Sequence, residues 1–465
     1  MAEILVSTKA LAVNPLKISQ PVGASLAFLG LANSMPLEHG ARGCTSFNKL
    51  FFMRHFREPI ALQTTAMDQV MTVLGADDNV VEALHTIALK NAPDVVGLIT
   101  TGLSEAQGAD IPRTIKEFRK CHPEHGRMVI VPVNASDATG CLETGFALAL
   151  ESIIATLIPT KSSEQPIPGQ VTVLASSMLT PGDIDAIREW VGAFGLTPIV
   201  VPDLGDSLDG HLIDTGYSTL TYGGTPVADL NRLGRSVATL VIGSSIGRAA
   251  DLLRERTGVP DHRFDSLLGV DACDTFTQVL ADISGQPVPA SIDRHRAQLL
   301  DATVDCYFQI GGSRIALAAE ADLLCMMGDF LMSLGTDVVA AITPVKVQAL
   351  TKTRLPRVTV GDLEDMEQAA REAGVDMIIA NSHGTDIASR LGVPMLHAGY
   401  PQYDLYGGYA RAWVGYQASR QLVFDLANLM ALHHQEIPPY RSRFWQGTPR
   451  EHESLVHYSI RPAVL

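Results

Sequence analysis

The chain has 465 residues and a formal net charge of −15, from 35 basic and 50 acidic side chains. Hydrophobic residues make up 46% of the chain and charged residues 18%, a composition that allows large cores and excludes general disorder. There is no Lys/Arg run, no apolar stretch long enough to span lipid and no secretory signal pattern, so we expect a cytoplasmic protein with neither a nucleic-acid nor a membrane partner.

Short apolar runs alternate with amphipathic helical stretches along the chain. In the first part, 94–100 and 129–133 are predicted as buried strands, and a long apolar helix covers about 141–157. The polar, Pro- and Gly-rich stretch 161–169 follows, and we take it as a domain boundary. Thr180-Pro181-Gly182-Asp183 then predicts a capped helix start, because Thr180 and Asp183 can each accept a free backbone N–H. The strands predicted after the boundary are 170–175, 197–201, 239–242, 314–318, 338–342 and 377–380.

This alternation predicts parallel sheets that are covered by helices on both faces. Segments 170–202 and 313–344 share the order strand, helix, Gly and strand, which indicates one repeated unit. We therefore predict an α/β fold of three Rossmann-like domains, each a mostly parallel sheet flanked by helices. The predicted domains are 1–165, 166–300 and 301–465.

Six cysteines are scattered through the chain. None lies within four residues of another, which excludes CxxC and zinc-ribbon spacings, and a reducing cytosol disfavours disulfides. Taken singly, each is predicted to be a small buried hydrophobe. The six are Cys44, Cys121, Cys141, Cys273, Cys306 and Cys325.

Cys44 has the most unusual surroundings of the six. It follows Gly40-Ala41-Arg42-Gly43, and the two glycines permit positive φ and close backbone approach. We expect Cys44 on an open loop, where backbone N–H groups and Arg42 can stabilise a thiolate that acts as a nucleophile or a metal ligand. The local pattern alone favours a structural or merely reactive thiol over a ligand. If Cys44 does bind an iron–sulfur cluster, which needs about four thiolates, the others must come from a distant loop or another chain.

Several stretches of the chain resemble the nitrogenase component 1 family. The resemblance extends over nearly the whole chain, and the segment around Cys44 is its most specific part. It is carried by Gln20–Thr45, His55-Phe56-Arg57-Glu58-Pro59, Gly75–Val80, Leu98–Glu105 and Gly399–Asp404.

The departures from the family indicate which branch the chain resembles. Catalytic β subunits of the family have three cysteines for an eight-iron cluster, and Cys44 matches the first. Leu62 and Gly102 stand where the second and third would be, and neither side chain can bind iron. The chain thus resembles the β-type scaffold subunits on which the nitrogenase iron–molybdenum cofactor matures. The resemblance implies that Cys44 is the single metal- and cofactor-binding residue and that the chain carries no catalytic residue.

The resemblance also implies the cofactors and partners. A [4Fe–4S] cluster would be shared with the partner subunit NifE, which would supply three thiolates and hold most of the cofactor precursor. The two subunits would form an α2β2 heterotetramer, with the nitrogenase Fe protein, NifH, as a transient docking partner. The chain would therefore be an assembly scaffold and not an enzyme.

Other interpretations remain open at this point. The chain could be the β subunit of a catalytic reductase of the same superfamily, namely nitrogenase or dark-operative protochlorophyllide reductase. It could also be a metal-free sugar- or nucleotide-binding enzyme of Rossmann type. His39 is five residues from Cys44, and a structural histidine is favoured there over a hydrogen bond near a cluster.

Overall fold

The computed structural model describes residues 2–9, 16–136, 138–160, 165–212, 216 and 218–433. Among these residues, no helix has the length and apolarity needed to cross a membrane. The strands in this part of the chain are β1 (Glu3–Val6), β2 (Ser34–His39), β3 (Gln63–Thr64), β4 (Val95–Thr100), β5 (Val129–Val133), β6 (Gln170–Ala175), β7 (Thr197–Val201), β8 (Ala238–Ile242), β9 (Asp261–Phe264), β10 (Arg314–Ala318), β11 (Asp337–Thr343), β12 (Arg357–Val360), β13 (Met377–Ala380) and β14 (Met395–His397).

These strands form three sheets, and all of the strand pairings are parallel. The first sheet has the order β3-β2-β4-β5, the second β7-β6-β8-β9 and the third β1-β12-β11-β10-β13-β14. Parallel strands need crossover connections, and helices supply them here. The predicted α/β fold of parallel sheets flanked by helices is confirmed.

The helices begin and end close to the capping signals in the sequence. Thr180 and Asp183 form the predicted capping box, since each side chain accepts the other's backbone N–H at 3.0 and 2.9 Å. The helices are α1 (Gln20–Leu29), α2 (Arg42–Phe56), α3 (Gln69–Leu74), α4 (Asp77–Lys90), α5 (Gly102–Gln107), α6 (Ile111–Cys121), α7 (Leu142–Leu157), α8 (Pro181–Gly192), α9 (Leu204–Ser207), α10 (Val227–Leu230), α11 (Gly247–Thr257), α12 (Val270–Ser284), α13 (Ala290–Ile310), α14 (Ala321–Ser333), α15 (Leu363–Ala373), α16 (Thr385–Leu391) and α17 (Gly415–Leu432).

The sheets divide the chain differently from the predicted ranges at two points. Strand β1 pairs with β12, so the N-terminus joins the third sheet and not the first. Residue 300 lies inside helix α13, so a continuous helix leads into the third sheet. The three domains and their boundaries stay a prediction.

Helices α1 and α7 cross with their backbones in close contact. A Cβ on Gly23 would lie 1.8 Å from the Leu142 carbonyl oxygen, and one on Gly145 would lie 2.0 Å from the Gln20 carbonyl oxygen. Every residue of α1 is buried. Only glycine permits this approach, which explains the glycine in the segment Gln20-Pro21-Val22-Gly23-Ala24.

Three buried carboxylates meet where the elements of the three sheets converge. Asp322, in the first turn of α14, accepts hydrogen bonds from the Ser245 N–H at 3.0 Å and the Ser245 hydroxyl at 2.6 Å. Its own N–H donates to Glu143 Oε2 at 2.7 Å, in the first turn of α7. Burial raises the pKa of Glu320 to about 7, and it raises the pKa values of Glu143 and Asp322 above their ordinary range. We call Glu143, Glu320 and Asp322 the buried carboxylate cluster.

We expect Glu320→Gln to make the protein more stable at pH 8 and to leave its stability unchanged near pH 4. Glu320 has a folded-state pKa of about 7, above the unfolded value of about 4.3, so folding favours the protonated carboxyl. This contribution to the free energy of unfolding is fully present below about pH 4.3 and is lost as the pH rises through 7. The total loss is about 4 kcal/mol. The neutral amide does not titrate, so the melting temperature of the variant should exceed that of wild type only at the higher pH.

Glu82→Gln is the matched control, because Glu82 is exposed on α4 of the first sheet. Its melting temperature should follow that of wild type at every pH. A Glu320→Gln variant that melts below wild type at pH 8 would contradict the assignment of a raised pKa.

Candidate functional site

Cys44 lies in the first turn of α2, immediately beyond the carboxyl end of β2. Its side chain is exposed. The expectation of an open loop was wrong, because the helix begins at Arg42. Neither Gly40 nor Gly43 adopts positive φ, so these glycines do not act through a left-handed turn. The thiol therefore stands at a helix N-terminus, where backbone N–H groups favour negative charge.

Gly40 is needed for a close approach between neighbouring strand ends. A Cβ at this position would lie 2.7 Å from Thr101 Oγ1. The Thr101 hydroxyl donates to the His39 carbonyl oxygen at 2.9 Å, which ties the end of β2 to the end of β4. The same contact keeps the turn that leads to Cys44 close to the edge of the first sheet.

A buried carboxylate that the sequence interpretation missed holds the start of α2. Glu38, on β2, accepts hydrogen bonds from the Thr45 hydroxyl at 2.7 Å and the Asn48 amide at 2.9 Å. The Ser25 hydroxyl of α1 donates to the same carboxylate at 3.1 Å. A signal was present, since Glu38 is an acidic residue in a fully buried strand. These contacts fix the helical turn that carries Cys44.

The other end of α2 is attached to the third sheet's part of the molecule. His55 is buried, and its Nδ1 accepts the backbone N–H of Gln402 at 2.9 Å. Burial lowers the pKa of His55 to about 4, so the ring is neutral and can act as this acceptor. The Arg57 guanidinium donates to the Tyr403 carbonyl oxygen at 3.1 Å and lies over the ring of Tyr406. Helix α2 is therefore held at both ends.

Exposed apolar side chains follow Cys44 along α2 and are present on α3 as well. Those on α2 are spaced three residues apart, so successive side chains are neighbours on the helix surface. Helix α3 adds two more, and it follows directly after Met67, whose N–H donates to the Gly40 carbonyl oxygen at 2.9 Å. We call this set the Cys44 face; its members are Phe47, Leu50, Met53, Val70 and Val73.

Leu62 and Gly102, which the sequence resemblance expects at the positions of two further cysteines, have no side-chain ligand atom. Leu62 is 2% exposed and packs in the main core just before β3. Gly102 begins α5 at the carboxyl end of β4, beside the end of β2. His39 is buried, its Nδ1 is 2.9 Å from Thr65 Oγ1, and burial lowers its pKa to about 4. This contact with Thr65 supports the structural interpretation of His39.

The remaining five cysteines differ in exposure. Cys141, Cys273 and Cys306 are buried and Cys325 is half-buried, and burial raises the pKa of each of these thiols. Cys121 is exposed, so its prediction as a core thiol was wrong. It is the last residue of α6 and precedes β5, which places it at the opposite edge of the first sheet from Cys44. A strand of five residues separates these edges by roughly 15 Å.

Comparison with known proteins identifies the relatives of this chain. Residues 19–431 match the family described as nitrogenase component 1 type oxidoreductase. The chain is 42% identical to the nitrogenase iron-molybdenum cofactor biosynthesis protein NifN of Klebsiella pneumoniae, over 96% of this chain and 97% of that protein. It is 46% identical to NifN of Nostoc sp., over 92% of this chain and 95% of that protein.

A solved structure gives the same result for the fold. A chain of the structure described as "Nitrogenase Cp1 at pH 6.5" superposes with a TM-score of 0.86 at 30% sequence identity. The superposition covers 92% of this chain and 95% of that chain. By sequence and by fold, the chain belongs to the nitrogenase component 1 family.

Proposed function

We propose that this chain is a cytoplasmic scaffold subunit for maturation of the nitrogenase iron–molybdenum cofactor. In this proposal Cys44 supplies one ligand to a [4Fe–4S] cluster at the interface with NifE, which holds most of the cofactor precursor. The two subunits form an α2β2 heterotetramer, and the Fe protein NifH docks transiently to deliver electrons. The NifN names of the relatives support the scaffold role.

The observation that carries the proposal is the exposed thiol of Cys44, with exposed apolar side chains on the same helix and no second exposed cysteine near it in the described part of the chain. Four of the six cysteines, all of which lie in the described part of the chain, are buried or half-buried with raised pKa values. Cys121 is exposed but lies at the far edge of the sheet, too distant to share a cluster with Cys44. A [4Fe–4S] cluster needs about four thiolates, so a cluster at Cys44 requires ligands from another chain.

The surroundings of Cys44 suit a contact with that second chain. Phe47 and Val73, both on the Cys44 face, are 64% and 82% exposed. Burying a side chain of this size against a partner stabilises a complex by about 1.5–3 kcal/mol. The apolar contact would also exclude water from a cluster that is held between the subunits.

The identity of the cluster separates this proposal from a catalytic β subunit. The buried side chain of Leu62 and the glycine at 102 provide no thiolate for a larger, eight-iron cluster. Iron analysis of the purified complex should give about four irons per interface, and about eight would favour the catalytic alternative.

We expect Cys44→Ala to weaken the interface cluster in the complex purified anaerobically with its partner. Three partner thiolates can still hold iron with a substitute ligand, so iron content alone is an insufficient measurement. The midpoint potential and EPR signal should shift, and iron loss to a chelator should become at least about tenfold faster.

Cys121→Ser is the matched control, because Cys121 is the other exposed cysteine. It should leave the potential, the EPR signal and the rate of iron loss unchanged. Cys44→Ala with a wild-type spectrum and potential would rule out Cys44 as a ligand.

We expect Phe47→Asp to weaken assembly with the partner by about 10- to 100-fold, because it places a charge in an apolar contact. Leu89→Asp is the control, since Leu89 is 65% exposed and Phe47 64% exposed. Partner affinity is measured on the full-length chains by analytical ultracentrifugation. Equal affinities for the two variants would show that the Cys44 face is not the interface.

A further inference from the structure

Four side chains converge between helix α4 and the turn that follows α6. His85 comes from α4, His122 follows the end of α6, and Glu124 and His125 belong to the short 3-10 turn Pro123–His125. One ligand atom from each residue can be chosen so that all four atoms lie within 4.8 Å of one another. We call these residues the His₃Glu cluster.

The spacing of the ligand atoms fits a metal ion. His85 Nδ1 is 3.1 Å from His125 Nε2, and Glu124 Oε1 is 3.3 Å from His122 Nδ1 and 3.6 Å from His125 Nε2. An ion bound tetrahedrally at about 2.1 Å from each ligand places the ligand atoms roughly 3.4 Å apart. These three distances lie on both sides of that value, and the other pairs of ligand atoms lie within 4.8 Å, so side-chain rotations would bring all four atoms to an ion.

The protein's own contacts preform the turn. The Arg119 guanidinium donates to the carbonyl oxygens of His125, at 2.9 Å, and Met128, at 2.5 Å. The rings of His85 and His122 stack with centroids 3.9 Å apart. The buried ring of Phe118 lies nearly parallel to that of His125, at 11°. The ligand side chains would therefore be preorganised for an ion.

Three imidazoles and one carboxylate select a particular class of ion. Ca²⁺ and Mg²⁺ prefer oxygen ligands throughout, whereas imidazole suits zinc and the neighbouring divalent transition ions. We propose that His85, His122, Glu124 and His125 bind one divalent transition-metal ion of the zinc, iron, cobalt and nickel class. The ion would join α4 to the turn that leads into β5.

This site is separate from Cys44. The turn precedes β5, so it lies at the amino edge of the first sheet, whereas Cys44 lies beyond the carboxyl edge. A strand length of roughly 15 Å lies between these edges. The ion would thus bind beside the first sheet, between α4 and the turn before β5. Its binding does not depend on the proposed interface cluster.

The test is a titration of the full-length chain, carrying no polyhistidine tag, with Zn²⁺ in an isothermal calorimeter. Wild type should bind one Zn²⁺ that is lost or at least about tenfold weaker in His85→Gln and in Glu124→Gln. Zn²⁺ should also raise the melting temperature of wild type but not that of the two variants, because an ion that binds only the folded state stabilises it.

Because the Glu124 side chain is 54% exposed, we expect the Glu124→Gln variant to fold like wild type, so a loss of Zn²⁺ binding in it reports on the site itself. His295→Gln, on α13, removes an imidazole elsewhere and should leave Zn²⁺ binding unchanged. Equal Zn²⁺ affinity in wild type and both cluster variants, or no Zn²⁺ binding by wild type, would overturn the proposal and leave the four residues as a hydrogen-bonded cluster.

Discussion

Asp322 connects elements of all three sheets through its buried carboxylate and its backbone N–H, and this connection constrains how the three sheets are arranged. Its carboxylate accepts hydrogen bonds from the N–H and the hydroxyl of Ser245, after β8, and its backbone N–H donates to Glu143 Oε2 on α7. The loop between Gly243 and Gly247 resembles an anion-binding turn, and here its Ser245 donates to a carboxyl group of the same chain. Leaving a buried polar group without such partners costs roughly 1–3 kcal/mol, so these contacts favour one arrangement of the sheets over others.

Helix α2 links the first and third sheets and bears Cys44. Its first turn is fixed by Glu38 of the first sheet, and its last turn by the bond between His55 and Gln402 in the region that follows β14. A change in the relative position of the first and third sheets would therefore move or bend α2. Since Cys44 and three of the five apolar side chains of the Cys44 face lie on α2, the proposed ligand and that part of the proposed interface move together.

The sequence predicted the parts of this structure that depend on local physics. Buried parallel strands such as Val95–Thr100 are continuous apolar runs, and the Thr180–Asp183 cap is a short-range signal. Contacts between distant segments were missed, such as β1 with β12 and His85 with His125, because the residues meet only after folding. The prediction of a loop at Cys44 was wrong. The nearby glycines favoured a loop by local rules, but a long-range contact with Glu38 holds the first turn of a helix there.

The exposed thiol of Cys44 has a consequence for the proposed cluster assembly. One ligand binds a four-iron cluster weakly, whereas four ligands bind it together, so the proposed cluster would form at Cys44 only when a second chain supplies the other ligands. The proposed contact would also bury Phe47 and its neighbours, whose exposure is unfavourable in the isolated chain. Apolar burial and cluster ligation would therefore favour the same association, and each would strengthen the other because Cys44 and Phe47 share helix α2.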